Sequence, residues 1–276
     1  MRRKLFCELG PKCYQISLEK EILLRHIKDL FANNKFSKTK VDYILPNTVK
    51  SHTSIMVRKL YGVDIKLQES KVTNIEIACK YINKVVIHPG ETFSFWKLVG
   101  NTTKKRGFKD GLVIYVDGKL RPGIGGGICQ MANMIHWLVL NSPLKVIEIH
   151  HHTDALFPDE RRTVPFGTGT SVSYNNLDYR FINSTNQDVQ ILVWCEGGEL
   201  CGELRSEKPF EYRYRLVEEG HCYIKEGNDY YRVSKIYKET IDRLDNIIIN
   251  RELILDNHSK VMYDHKLIPK DQIKYE

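Results

Sequence analysis

Nothing in this sequence approaches the ~20-residue apolar run that a membrane-spanning helix requires, so no membrane span is expected. The opening Met1-Arg-Arg-Lys-Leu-Phe-Cys-Glu-Leu-Gly-Pro-Lys12 carries a basic cluster but no apolar core of signal-peptide length, because Glu8 and Lys12 interrupt it. No two cysteines stand as a Cys-x-x-Cys pair, and the seven present (Cys7, Cys13, Cys79, Cys129, Cys195, Cys201, Cys222) are an odd number. That is not a disulfide framework, and free thiols suit a reducing compartment. Basic residues never run five in a row, and 34 acidic residues are scattered among them, so the formal charge of +8 is spread thinly. Specific nucleic-acid binding is therefore not expected. Together these absences predict a cytoplasmic protein with reduced cysteines.

What is present describes an ordinary globular chain: 276 residues, 42% hydrophobic and 28% charged, enough for one or two domains. Residues 1–70 read as a mixed, helical N-terminal region, 71–205 as the core, and 206–276 as a β-rich C-terminal subdomain of short tyrosine-rich strands. Apolar residues at 18, 22, 23, 27, 30 and 31 predict an amphipathic helix capped by Ser17. A second helix is predicted over 71–83. After the Pro89-Gly90 turn, Thr92-Phe-Ser-Phe-Trp96 alternates like a strand, with Thr92 and Ser94 placed to face a cleft. Turn signals at Asp117-Gly118, Asn175-Asn176 and Gly197-Gly198 predict three hairpins, and such turns join antiparallel neighbours. The expected fold class is α+β, a mainly antiparallel sheet packed against a cysteine-bearing helix.

That helix follows the most unusual stretch of the chain. Gly125, Gly126 and Gly127 run into Ile128-Cys129-Gln130 and the apolar segment Met131 to Leu140, which Asn141-Ser142-Pro143 closes. Glycine suits backbone that takes positive φ or is closely approached. Three in succession are costly in conformational entropy, so the geometry matters. Cys129 is thereby predicted in the first turn of a mostly buried helix, where unpaired N–H groups and the helix dipole favour thiolate. The competing reading makes Cys129 a small buried hydrophobe under a tight loop.

The chain strongly resembles the VanW family. The likeness rests on Pro89-Gly-Glu-Thr-Phe-Ser-Phe-Trp96 with Val99-Gly100, on Gly125-Gly-Gly-Ile-Cys-Gln130, on Glu148 through His152, and on Leu177-Asp-Tyr-Arg-Phe-Ile-Asn183, within a core of roughly residues 70–205. The resemblance implies a link to B-type vancomycin-resistance clusters and to the cell envelope, without implying a reaction. Many members have Gly-x-Asp-Ala-Thr-Val where this chain reads Gly167-Thr-Gly-Thr-Ser-Val172, so any role of that aspartate is absent or moved. Relatives often carry a membrane anchor or wall-binding repeats, and neither is expected here.

Three functional readings follow. In the first, Cys129 is a nucleophile, His152 its base and Asp178 the orienting group, the order in which papain-like and transglutaminase-like enzymes place theirs; the chemistry would be acyl transfer or amide hydrolysis on a wall-related peptide. Cys129 would then be the most reactive of the seven thiols. In the second, His150, His152, Cys129, His136 and Asp178 offer zinc ligands, but no pair has compact zinc spacing, and no metal or cofactor is expected. In the third, a non-catalytic module binds an anionic, glycan or peptide ligand, with Gly125, Gly126 and Gly127 supplying N–H groups and Phe93, Phe95, Trp96 and Trp137 supplying walls. Thr92, Ser94, Trp96 and Gln130 complete the candidate substrate-binding residues, and the partner is a small molecule or peptide.

Overall fold

The computed structural model of the chain describes residues 5–32, 34–58, 64–114, 120–151, 154–158 and 164–274. Helix α1 (Pro11–Phe31) starts with proline at its first position behind Gly10, well ahead of the predicted Ser17 cap. It buries no residue, and Leu23, Ile27, Leu30 and Phe31, expected on an inward face, are exposed. Arg25 and Asp29 turn towards the core instead, because ion pairs there outweigh apolar burial.

Strand β1 (Asn47–Ile55) leads to helix α2 (Ile65–Ile82), whose first turn is capped by Asp64, the carboxylate accepting the Lys66 N–H at 2.9 Å. That cap starts the helix six residues before the predicted boundary. Ile75, Ala78, Cys79 and Ile82 are buried as their spacing requires. After β2 (Val85–Ile87), strand β3 (Thr92–Ser94) is shorter than predicted. The Ser94 hydroxyl accepts the Lys97 N–H at 3.2 Å and so caps a short helix, α3 (Phe95–Val99), which takes Trp96 out of the strand. Strands β4 (Asp110–Ile114) and β5 (Leu120–Ile124) pair antiparallel; the predicted turn at Asp117-Gly118 lies outside the described residues.

Helix α4 (Cys129–Leu140) begins where the sequence places it. Strands β6 (Lys145–Glu148), β7 (Asp154–Ala155), β8 (Arg180–Ile182), β9 (Val189–Glu196) and β10 (Glu199–Ser206) complete the core. The C-terminal part is β11 (Tyr212–Glu226), β12 (Asp229–Asp242), β13 (Ile248–Val261) and β14 (Ile273–Lys274).

The main sheet has the order β1-β10-β9-β2, antiparallel throughout, and α2 and α4 pack on it. Gly197 and Gly198, at φ of 57° and 83°, form the predicted two-residue turn between β9 and β10. At Gly202 on β10 an added Cβ would lie 2.8 Å from the Met134 side chain, so glycine lets α4 approach the sheet closely. A second, antiparallel sheet runs β3-β8-β6. The class is α+β with a mainly antiparallel sheet against the cysteine-bearing helix.

Two local expectations are corrected. Ser173 and Leu177 do bridge across Asn175-Asn176, but β8 pairs with β3 and β6, and residues 169–172 form no strand. Their polar groups are taken elsewhere, the Thr170 N–H by Asn133 Oδ1 at 2.7 Å and the Ser171 N–H by His150 O at 2.7 Å. The C-terminal strands β11 to β13 are long rather than short, and β7 joins their sheet as a parallel edge beside β13.

Candidate functional site

The triple glycine is a packing device. Gly126 lies backbone to backbone against Gly111, where an added Cβ would meet the Gly111 carbonyl carbon at 2.1 Å. Gly125 and Gly127 have φ of 77° and 85°, and a Cβ on Gly127 would strike the Lys71 side chain at 2.1 Å. Asn74 of α2 fastens the loop, donating to Gly126 O at 2.9 Å while accepting the Lys109 N–H at 2.8 Å. The Gly125 N–H donates to Lys109 O and the Gly126 N–H to Gly123 O, each at 3.0 Å, so these two donors are already committed within the loop. Lys71 is buried beneath it with no ion pair among the described residues; burial, and secondarily the charge of Arg58, push its pKa down to about 8.

Cys129 occupies the predicted first turn of α4, yet its environment favours the thiol. Sγ donates to Val172 O at 3.8 Å. Burial pushes its pKa above the ordinary thiol value, outweighing the opposite pull of hydrogen bonds to Val172 and to its own backbone. The helix dipole favours the thiolate and desolvation the thiol, and desolvation wins here. His152, the proposed base, lies outside the described residues.

Asp178 is fully buried, and its carboxylate is committed on both oxygens. Oδ1 accepts the N–H groups of Trp96 at 3.1 Å and Tyr179 at 2.9 Å. Oδ2 accepts Ser94 Oγ–H at 2.5 Å and Arg180 Nε–H at 2.7 Å. A carboxylate has about four lone-pair positions, so none remains to orient an imidazole. Arg180 continues the network: its two terminal nitrogens donate to Asp29 at 2.7 and 3.0 Å, and Lys97 reaches Asp29 at 2.9 Å. Burial works to raise the Asp29 pKa, but Arg180 and Lys97 prevail and hold it below the usual carboxylate range. Glu148 behaves likewise: burial opposes, while Arg25, His150 at 3.0 Å and the Asp178 N–H at 3.1 Å lower it. This cluster docks α1 on the core.

Thr92, Ser94, Trp96, Phe93 and Phe95 are all buried, so they build the core beside Asp178 and do not line an open cleft. Among the described residues, no group of three or more His, Cys, Asp or Glu is placed to hold a metal. His136 is buried against Tyr179, Nδ1 to Oη 3.1 Å, and burial above all pushes its pKa down to about 3.

What does gather at a surface is the half-exposed strip of α4: Cys129, Gln130, Asn133 and Trp137. Their spacing keeps them on one side of the helix. On one flank Gln130 Nε2 donates to Ser54 Oγ at 2.8 Å and to Ile55 O at 3.0 Å, while His52 and Lys50 lie 5.8 and 5.7 Å from the Trp137 ring. On the other flank stand Thr170, bonded to Asn133, and Val172. Trp137 Nε1 is buried and has no hydrogen-bond partner among the described residues. The sequence reading identified Cys129, Gln130 and Trp137 but missed Asn133 and His52. Asn133 stands four residues after Cys129, one helical turn along, which was a usable signal; His52 lies on β1, a strand that the mixed, helical reading of residues 1–70 does not contain.

Known proteins bear on this site. The family profile for "VanW like protein" matches residues 70–205, which includes the glycine loop, α4 and Asp178. The vancomycin B-type resistance protein VanW of Enterococcus faecalis is 32% identical over 202 residues, covering 73% of each chain. The uncharacterized protein YoaR of Bacillus subtilis is 34% identical over 152 residues, which are 54% of this chain and 47% of YoaR. No solved structure matches. The chain belongs to the VanW family.

Proposed function

We propose that this chain is a non-catalytic recognition module of the vancomycin-resistance-linked VanW family, binding a cell-wall-related peptide along the Cys129–Trp137 strip of α4. The observation that carries this reading is Trp137. Its ring is half-exposed beside His52 and Lys50, and its buried indole N–H lacks a partner among the described residues. A buried donor left unpaired is costly, and a rotation of the partly exposed side chain on ligand binding would bring it to a ligand carbonyl. Lys50 would suit a carboxylate on the same ligand, and Gln130 Oε1 and Asn133 Nδ2, the amide atoms not engaged by Ser54, Ile55 and Thr170, offer an acceptor and a donor for a peptide backbone. Against a cysteine protease-like role stand the burial of the Cys129 sulfur, which raises its pKa, and the saturated Asp178 carboxylate.

Calorimetric titration of the full chain with a synthetic wall-precursor peptide tests the reading. Saturable binding, weakened by Trp137→Phe and by Gln130→Ala in variants of unchanged circular dichroism, with the peptide's mass unaltered, is the expected result. Cys129-dependent cleavage or acylation of the peptide would replace this function by the enzymatic one.

A further inference from the structure

A different part of the molecule holds two thiols in contact. Cys79 on α2 and Cys195 on β9 share an S–H···S hydrogen bond, with sulfurs 3.9 Å apart. Both residues line a cavity of about 500 Å³ between α2, β9 and residues 40–42. We propose that Cys79 and Cys195 form a thiol–disulfide exchange site whose co-substrate is a small, carboxylate-bearing disulfide.

The two sulfurs are placed unequally. Cys195 is half-buried and Cys79 is buried, so an incoming disulfide meets Cys195 first. Their hydrogen bond lowers the pKa of Cys195 and raises that of Cys79, whose burial adds to the rise. A more acidic, accessible thiol beside a protected one is the division of labour that exchange requires. The cavity has the size of a small-molecule site. Lys40, Lys80 and Lys84 line it and form no ion pair among the described residues; Lys40 donates to Lys80 O at 2.7 Å and Lys84 to Asp42 O at 2.9 Å, which fixes those two ammonium groups without neutralising them. Glu76 and Asp42 are the opposing carboxylates, leaving a cationic excess for an anionic co-substrate.

The chemistry balances within these groups. The Cys195 thiolate attacks one sulfur of the disulfide, its S–S bond breaks, and one thiolate leaves, taking up the proton Cys195 gave. Cys79 then loses its proton and attacks the Cys195 sulfur of the mixed disulfide, which releases the second thiolate with that proton. Two protein thiols are oxidised to one disulfide while the small disulfide is reduced to two thiols. Closing the pair from 3.9 Å to a bond of about 2.05 Å takes a side-chain movement of about 2 Å. Cys201 takes no part: Trp194 is its cross-strand partner, so it faces the opposite side of the sheet from Cys195.

The test treats the reduced full chain with oxidised glutathione, quenches with iodoacetamide and maps peptides by mass spectrometry. A Cys79–Cys195 disulfide should be the main product. Cys79→Ser should trap glutathione on Cys195, Cys195→Ser should abolish both products, and Cys201→Ser should change neither. Oxidised glutathione should outpace neutral hydroxyethyl disulfide severalfold at low salt, and the advantage should shrink as salt screens the lysines. A wild-type chain that keeps Cys79 and Cys195 reduced while other cysteines react would overturn the proposal. Equal rates for the two disulfides would overturn its anionic specificity.

Discussion

Gly126 and Gly111 meet backbone to backbone, so closely that a Cβ on Gly126 would stand 2.1 Å from the Gly111 carbonyl carbon and 2.6 Å from the Leu112 nitrogen. Backbone cannot swing aside as a flexible side chain can. Gly126→Ala should therefore destabilise the chain by about 1–3 kcal/mol or more, in the range of overpacked cores. The midpoint of urea unfolding measures it, and an unchanged midpoint would refute this account of the glycine loop.

Asp178 makes a contrasting prediction. It anchors Trp96, Tyr179, Ser94 and Arg180 at once, so its loss is felt as stability before any chemistry is considered. Asp178→Asn leaves Arg180 with Asp29 and Glu148 and removes a buried charge from a paired set. Breaking a buried pair by removing one partner costs about 3–5 kcal/mol. Denaturant titration at pH 7 should show a loss of that order; a stable variant would free Asp178 for another role.

These two sites show what the sequence made legible. The glycine–cysteine junction, the start of α4 and the hairpin at Gly197-Gly198 follow from local rules of backbone and turn. The inward face of α1 did not, because it is set by Arg25 and Asp29 meeting Glu148 and Arg180, which are more than a hundred residues away in sequence. In sequence Asp178 reads as the group that orients a histidine, whereas its partners in the structure are Tyr179 and Arg180 beside it in the chain and, by tertiary packing, Trp96 and Ser94. The same holds for Cys79 and Cys195, separated by 116 residues and joined only by the packing of α2 on β9.

His136 supplies a pH dependence. It is 2% exposed, and its pKa falls from an ordinary 6.5 to about 3 on folding. Because the native value is depressed, the unfolded chain binds the proton first as pH falls. The stabilisation is present above about pH 6.5 and is lost progressively as pH falls from there towards 3. The slope contributed is about 1.4 kcal/mol per pH unit. A chain carrying His136→Gln should show a flatter stability profile between pH 6 and 4.5, a window above the titration of the lowered carboxylates Asp29 and Glu148. Parallel profiles for the two proteins would contradict a neutral, buried His136.

The thiols give the sharpest discrimination. Burial raises the pKa of Cys129, whereas the hydrogen bond from Cys79 lowers that of Cys195. Iodoacetamide reacts with thiolate, and thiolate fraction changes about tenfold per pKa unit at a pH below both values. At pH 6, where an ordinary thiol is almost wholly protonated, Cys195 should label ahead of Cys129. Time-resolved alkylation with peptide mapping reads both rates in one sample, and Cys79→Ala should slow Cys195 by removing its donor while leaving Cys129 unchanged. Circular dichroism of that variant separates a lost hydrogen bond from a lost fold. If Cys129 labels first, and His152→Ala removes that reactivity, an activated Cys129–His152 pair exists. The recognition-module reading would then give way to nucleophilic catalysis, with the Cys79–Cys195 exchange site still to be judged by its own disulfide products.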